Sequence, residues 1–551
     1  MARTMTPAAP PAPTPRLRLA LTLPGAVSLG AYHGGALAAL LVAAQHSDGQ
    51  LLIDAMATAS AGALTGVLAA RALLRGADPV DLMVKAWVEA DSLASLRSHT
   101  TASVLDPEPL RALARDLLSP SGSVPDGAAD SYRQGDSVRI SMALASLGGL
   151  AYRLPSLDAN QPWFNALTHL DWWSHTFAAN DADDGFAGAG EPALASAANA
   201  LGFPPSRLDR TADRADYEAN HIIAPPIRPD RSQDEQWMLW YTDGGTIDNQ
   251  PFGRAIDLVV EAEADPQVGD LATDERLFVL VEPQPATVDF NGRWWDPETK
   301  PRWTFTLFDV FNLKGEQSVY DDLLLLEKTN SRIRWTDAAA EALADALDTA
   351  LAAVDPANRP AVEAAVRQRL GQAAGTMDSD HLRLRAHHHG TATPEPTGEV
   401  AADPIKGEFA TAVSDLLTRA SGLKDKRPAR VEMVSPLLDG DSPPVSDRLA
   451  GDFLFHFGGF VDEDFRRHDF LVGWSNMRTW LTTRAEAHGF TAALAEVDRR
   501  HDALGWTLDD CNPTLGSLDL GDKWELLRTA GHVGRVITHD LGDLVGHDEN
   551  G

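Results

Sequence analysis

The chain has 551 residues, enough for more than one domain or for one large elaborated domain. An apolar content of 44% supplies a core, while a formal charge of -32 argues against nucleic acid and against electrostatic attachment to anionic membranes. Cys511 is the only cysteine, so no disulfide can form within the chain.

Residues 1–15 are rich in Ala, Pro and Thr, lack periodicity, and are expected to be a disordered tail. Residues 17–23 alternate as a first strand; a turn bounded by Gly25 and Gly30 follows, then a small-residue helix through Leu40. The run 19–45 contains no Asp, Glu, Lys or Arg and has the length of a membrane span, and Arg16 and Arg18 ahead of it mimic the start of a signal peptide. Pro24, Gly25, Gly30, Gly34 and Gly35 interrupt it, so a strand–loop–helix is expected and the location is expected to be cytoplasmic or peripheral at a membrane.

Residues 51–70, LLIDAMATASAGALTGVLAA, are the centre of the chain. An apolar run to Ala57 suits a buried strand, small residues surround Ser60, and Leu64, Val67 and Leu68 recur at helical spacing. A strand turning sharply into a helix over small side chains is a nucleophile elbow, which exposes a serine Oγ. Gly62 meets the need for a small residue after the serine; Thr58 stands at the matching position before it.

Residues 78–118 look helical, with Val80, Met83 and Trp87 on one face, and 121–135 look loop-like. Residues 138–144 alternate as a strand. Trp163, Phe164, Trp172, Trp173 and Phe177 crowd the stretch 161–177, either as the apolar mouth or lid of a pocket or as ordinary core packing. An acidic, Gly-rich loop is expected at 180–190. Residues 237–252, WMLWYTDGGTIDNQPF, read as an aromatic strand, then Asp243-Gly244-Gly245, then a turn with Asn249 and Pro251. Residues 277–281 form a further apolar strand. Beyond about 290 the pattern turns helical: Leu343, Leu347, Leu351 and Val354, then Val362, Val366 and Leu370 after Pro356, suggest a helical hairpin. Residues 391–404 and 424–444 read as linkers.

The glycine-bounded loop after the first strand, the serine elbow after the second and the Asp-Gly-Gly motif far downstream together resemble the patatin-like phospholipases. Residues 193–205, ending in Phe-Pro-Pro, are similar to a small-residue helix that this family carries ahead of its aspartate motif. FGGFVDEDFRRHDFLVGWSNMRTWL, within 449–481, resembles a C-terminal segment of some long bacterial members. The resemblance implies an α/β three-layer patatin-like sandwich over 16–290, with a mainly helical C-terminal region over 291–551. It also implies hydrolysis of a lipid acyl ester of the phospholipase A or lysophospholipase type, with Ser60 as nucleophile and Asp243 as its direct base. The oxyanion hole would come from the backbone N–H groups of Gly25, Ala26 and Val27. Asp243 ends a strand, where a sheet's carboxyl edge presents functional groups. Many family loops read GGGxRG, whereas here Ala26, Val27 and Leu29 replace two glycines and the arginine, and Thr58 replaces the first elbow glycine.

Two other readings stand beside this one. Ser60, Asp243 and His468 follow the order Ser…Asp…His of an α/β-hydrolase triad, although Ser60 comes too early in the chain for that fold. The altered loop also fits a weak or inactive lipid-binding scaffold. No cofactor and no metal is expected: His387, His388 and His389 are adjacent and cannot converge on one ion, and no P-loop lysine is present. The expected partner is a lipid ester substrate, met by transient peripheral membrane contact, and not nucleic acid.

Overall fold

The structure is a computed structural model. It describes residues 15–548 apart from 90–91, 128–136, 159–160, 180–183, 220–221, 224–236, 264–273, 286–297, 299–302, 389–409, 422, 424–427, 437–448, 454–455, 509–515, 517 and 519. The expected tail, the linker at 391–404, His389 and the boundary near 290 fall on or within the undescribed segments, as do parts of 121–135 and 180–190; the described part of the loop expected at 180–190 is mostly helical.

Strand β1 (Leu17–Leu23) leads through a 3-10 turn (Val27–Leu29) into helix α1 (Gly30–Gln45). Strand β2 (Leu51–Thr58) leads over Ser60 into α2 (Ala61–Arg75). The helix expected over 78–118 is three pieces: α3 (Pro79–Trp87), α4 (Leu93–Leu96) and α5 (Glu108–Leu118). The break has a local cause. Ser98, Thr100 and Ser103 hydrogen-bond backbone within two residues of themselves, which competes with helix, and Arg97 bridges Leu105 instead.

The strand expected at 138–144 is much longer. Strand β3 (Ser137–Asp158) pairs antiparallel with β4 (Gln161–Ala178), and Gly148 and Gly149 form a bulge within the ladder. The aromatic stretch is therefore a strand. Phe177 is buried and stacked on Phe186, Trp173 packs on the main core and Arg254 lies over Trp172, which favours packing over a pocket mouth; the side chains of Trp163 and Phe164 lie outside the described residues.

Two short helices, α6 (Asp184–Gly188) and α7 (Gly190–Ser196), precede β5 (Ser206–Asp209), α8 (Arg214–Ala219) and β6 (Ile222–Ile223). The helix expected through 205 thus stops at Ser196. Strand β7 (Met238–Asp243), a 3-10 turn (Gly244–Thr246), α9 (Phe252–Glu263) and β8 (Glu275–Val281) follow. Helices α10 (Trp303–Ala352) and α11 (Arg359–His388) make the expected hairpin around Pro356, closed by α12 (Ala410–Ala420) through Leu347, Leu351, Val366, Val413 and Leu417. The supposed linker at 424–444 contains β9 (Val431–Val434), and α13 (Glu463–His488), α14 (Thr491–Leu504) and α15 (Leu520–Asp548) end the chain.

Among the described residues, nine strands form one sheet of order β5-β7-β3-β2-β1-β8-β9, with β4 and β6 also paired to β3. Strands β3, β2, β1, β8 and β9 run parallel, and β7 runs antiparallel to β3. One face packs on α1, α2, α3 and α13; the other packs on α9 and on Leu326 of α10. These layers are the expected α/β sandwich. The uncharged run at 19–45 is explained by its position: α1 is buried along nearly its whole length, between the sheet and α13. Arg16 and Arg18 join Asp274, and Arg18 and Arg276 join Asp54, in an ion network tying β1, β2 and β8.

Candidate active site

Ser60 lies between the end of β2 and the start of α2 with φ 51° and ψ -125°. A serine at positive φ is uncommon and is held only when its surroundings over-determine it. The reason is crowding. Gly62 passes so close to β1 that a Cβ there would stand 2.2 Å from the Leu23 carbonyl oxygen. The Ser60 N–H donates to Ser196 Oγ at 2.9 Å, and that hydroxyl donates to the Ala143 carbonyl at 2.7 Å. Thr58, where a glycine would be usual, is fully buried; its Oγ1 donates to the Ser141 carbonyl at 3.3 Å, and the methyl faces Gly66.

Thr58 pairs with Met142 of β3, and Asp243 pairs with Leu144 of the same strand. Because β7 is antiparallel, Asp243 reaches the carboxyl edge of β2 from the opposite direction. That approach is possible because β3 continues past the edge, which sequence alone did not indicate. Across β3 the two side chains meet: Ser60 Oγ donates to Asp243 Oδ2 at 2.9 Å. The other carboxylate oxygen accepts from the Gly245 N–H at 2.8 Å, and the Asn199 side chain also bonds the carboxylate. Both Ser60 and Asp243 are buried. Burial pushes the Asp243 carboxyl up to about 6, against the opposing pull of the Gly245, Ser60 and Asn199 hydrogen bonds.

The loop after β1 passes over the serine. A Cβ on Gly25 would stand 2.9 Å from Ser60 Cβ and 2.3 Å from Asn249 Oδ1, so only glycine fits. The Gly25 N–H, however, donates to the Asn249 carbonyl at 3.1 Å and is spent there. The N–H groups of Ala26 and Val27 carry no hydrogen bond among the described residues, nor does that of Ala61 at the start of α2, where helix geometry leaves N–H groups unpaired. These three donors, beside the positive end of the α2 dipole, can stabilise an oxyanion.

His468 is elsewhere. It lies on α13 with Nδ1 3.1 Å from Asp469 Oδ1, and Asp469 in turn accepts from the Ala450 and Gly451 N–H groups. Asp243 bonds Ser60 with no histidine between them, so the triad reading fails on geometry. His387 and His388 end α11, and among the described residues no group of His, Cys, Asp or Glu could hold a metal ion. Sequence reasoning missed Ser196, Ala143 and Asn199, for which no local signal exists.

Residues 21–256 match the family described as Patatin-like phospholipase. No curated protein matches the chain.

Proposed function

From the premise that the chain belongs, through residues 21–256, to the patatin-like phospholipase family, we propose that it hydrolyses a phospholipid or lysophospholipid acyl ester through an acyl intermediate on Ser60. The family supports a lipid acyl hydrolase in general; the finer reading rests on one observation, the direct hydrogen bond from Ser60 Oγ to Asp243 at a positive-φ elbow. Asp243 takes the serine proton as Oγ attacks the ester carbonyl, and returns it to the leaving alcohol as the acyl-serine forms. A water then attacks the acyl carbon, again giving its proton to Asp243, and serine leaves with that proton. The Ala26, Val27 and Ala61 N–H groups meet the negative charge on the carbonyl oxygen in both halves. A carboxyl held near 6 is a better base than a free one at about 3.9 and is still ionised at neutral pH.

A fluorophosphonate probe tests the reading, because only an activated serine reacts readily. The wild-type protein should label and hydrolyse lipid esters, and Ser60→Ala should abolish both with its melting temperature nearly unchanged. A folded wild-type protein that neither labels nor turns over would leave a lipid-binding scaffold as the reading. Full hydrolysis by Ser60→Ala would move the site elsewhere.

A further inference from the structure

The loop over Ser60 adopts a backbone that its own residues disfavour. Val27 has φ 50°, a region that β-branched side chains avoid, so contacts from outside the loop must hold it. Those contacts come from residues 428 and 431 positions later in the chain. The Ser28 hydroxyl donates to the His456 carbonyl and accepts from the Gly459 N–H at 2.9 Å, while the Ser28 N–H donates to the same carbonyl at 3.0 Å. Val27 packs into an apolar cluster with Phe457, Phe460 and Phe465.

The turn that makes these contacts is itself fixed. His456 has φ 69°, and its Nδ1 lies 2.7 Å from Asp452 Oδ1, which also accepts from Gln284 Nε2 at 2.9 Å, just beyond β8. The buried Arg466 of α13 donates from Nη1 to the Gly459 carbonyl and from Nε to the Val88 carbonyl, both at 2.8 Å. Helix α13 packs directly on α1, which begins where the loop ends: Cβ atoms on Gly35 and Gly473 would stand 1.8 Å and 2.1 Å from backbone oxygens of the facing helix.

We propose that residues 456–459 clamp the oxyanion loop through Ser28, making Ser28 a positioning residue for hydrolysis at Ser60. The proposal rests on the esterase reading above. The clamp uses the hydroxyl and the N–H of Ser28; what it sets is the direction of the neighbouring Ala26 and Val27 N–H groups. A donor displaced by about an ångström loses much of its effect on the transition state.

Two variants approach the contact from opposite sides. Ser28→Ala removes the hydroxyl. Gly459→Ala keeps the N–H donor but adds a Cβ that would stand 2.9 Å from Ser28 Oγ, pushing the loop away. Each should lower kcat about 10- to 100-fold per folded molecule with KM within about threefold, and the double variant should lose little more than the worse single one. Amide hydrogen exchange of residues 25–30 should quicken in both, measured against unchanged exchange in α2. Activities within twofold of wild type, or loop exchange that does not change, would overturn the clamp. A wild-type protein without label or turnover would sink the esterase reading instead, and loop exchange in the two variants would still decide the clamp.

Discussion

Asp243 is the residue at which chemistry and stability pull in opposite directions. Its carboxyl is raised to about 6 by burial, so the folded protein holds that proton more tightly than the unfolded chain does. As pH rises from about 4 to about 6 the unfolded state releases its proton first, and stability falls across that window and then levels. Over the same window the ionised base appears. kcat/KM should therefore rise with pH to a plateau, with its midpoint near 6. Glu282, raised by burial to about 7 and bonded to Gln250 and Gln284, is another carboxyl that could shape such a limb, and a Glu282→Gln variant that keeps the midpoint removes it from consideration. Asp243→Asn keeps the size and cannot accept the proton. It should lower kcat by roughly 10²- to 10⁴-fold and lessen the fall in stability between pH 4 and 6, leaving the part that Glu282 contributes. His468→Ala, by contrast, should leave kcat per folded molecule near wild type. A folded His468→Ala protein that had lost several orders of magnitude would revive the triad.

At the scale of elements, the two ends of the sheet do different work. The carboxyl edge carries the elbow, while the opposite edge is held by Asp54, which Arg18 and Arg276 hold well below the usual carboxylate range despite its burial. Its contribution is present above the unfolded value of about 3.9 and is lost as pH falls through the lower folded value. Asp54→Ala strips Arg276 of its carboxylate and leaves Arg18 with Asp274 alone, and should cost about 3–5 kcal/mol, read by denaturant unfolding at pH 7, with turnover per folded molecule unchanged. A loss below about 1 kcal/mol would mean that water screens the network. The elements that were legible in the sequence share one property: each strand–turn–helix unit around Gly25, Ser60 and Asp243 is written in contiguous residues, as small side chains where backbones crowd and apolar runs where strands are buried. Ser196, Asn199 and residues 456–459 were illegible because nothing near them in sequence says that they fold back onto Ser60 or Ser28. Strand β9 was hidden for a related reason: four residues at the sheet's edge, flanked by charged and proline-rich sequence, read locally as a linker.

For the molecule as a whole, the question is whether the portion that carries the dyad can stand alone. The family match ends at residue 256, and the sequence suggests a catalytic unit over 16–290, yet the structure draws core from well beyond both. Phe470, Trp474, Met477 and Trp480 of α13 belong to the same buried cluster as α1, α2 and the sheet. Burial of each such side chain is worth about 1.5–3 kcal/mol, so four of them together approach the whole net stability of a typical domain, about 5–15 kcal/mol. Removing β9 also strips β8 of its outer neighbour and leaves an unpaired apolar edge, a template for association with other chains. A chain of residues 16–290 should therefore be expressed insolubly or as soluble aggregates, with weak near-UV circular dichroism and no cooperative thermal transition. Fluorophosphonate should not label it at Ser60, since the contacts that hold Val27 and Ser28 are gone with residues 456–465. Size-exclusion chromatography and calorimetry decide the matter. A monomeric 16–290 protein that melts cooperatively would show that α13 and β9 are additions to a self-sufficient domain, and labelling of that protein at the wild-type rate would show that the loop needs no help from the C-terminal region.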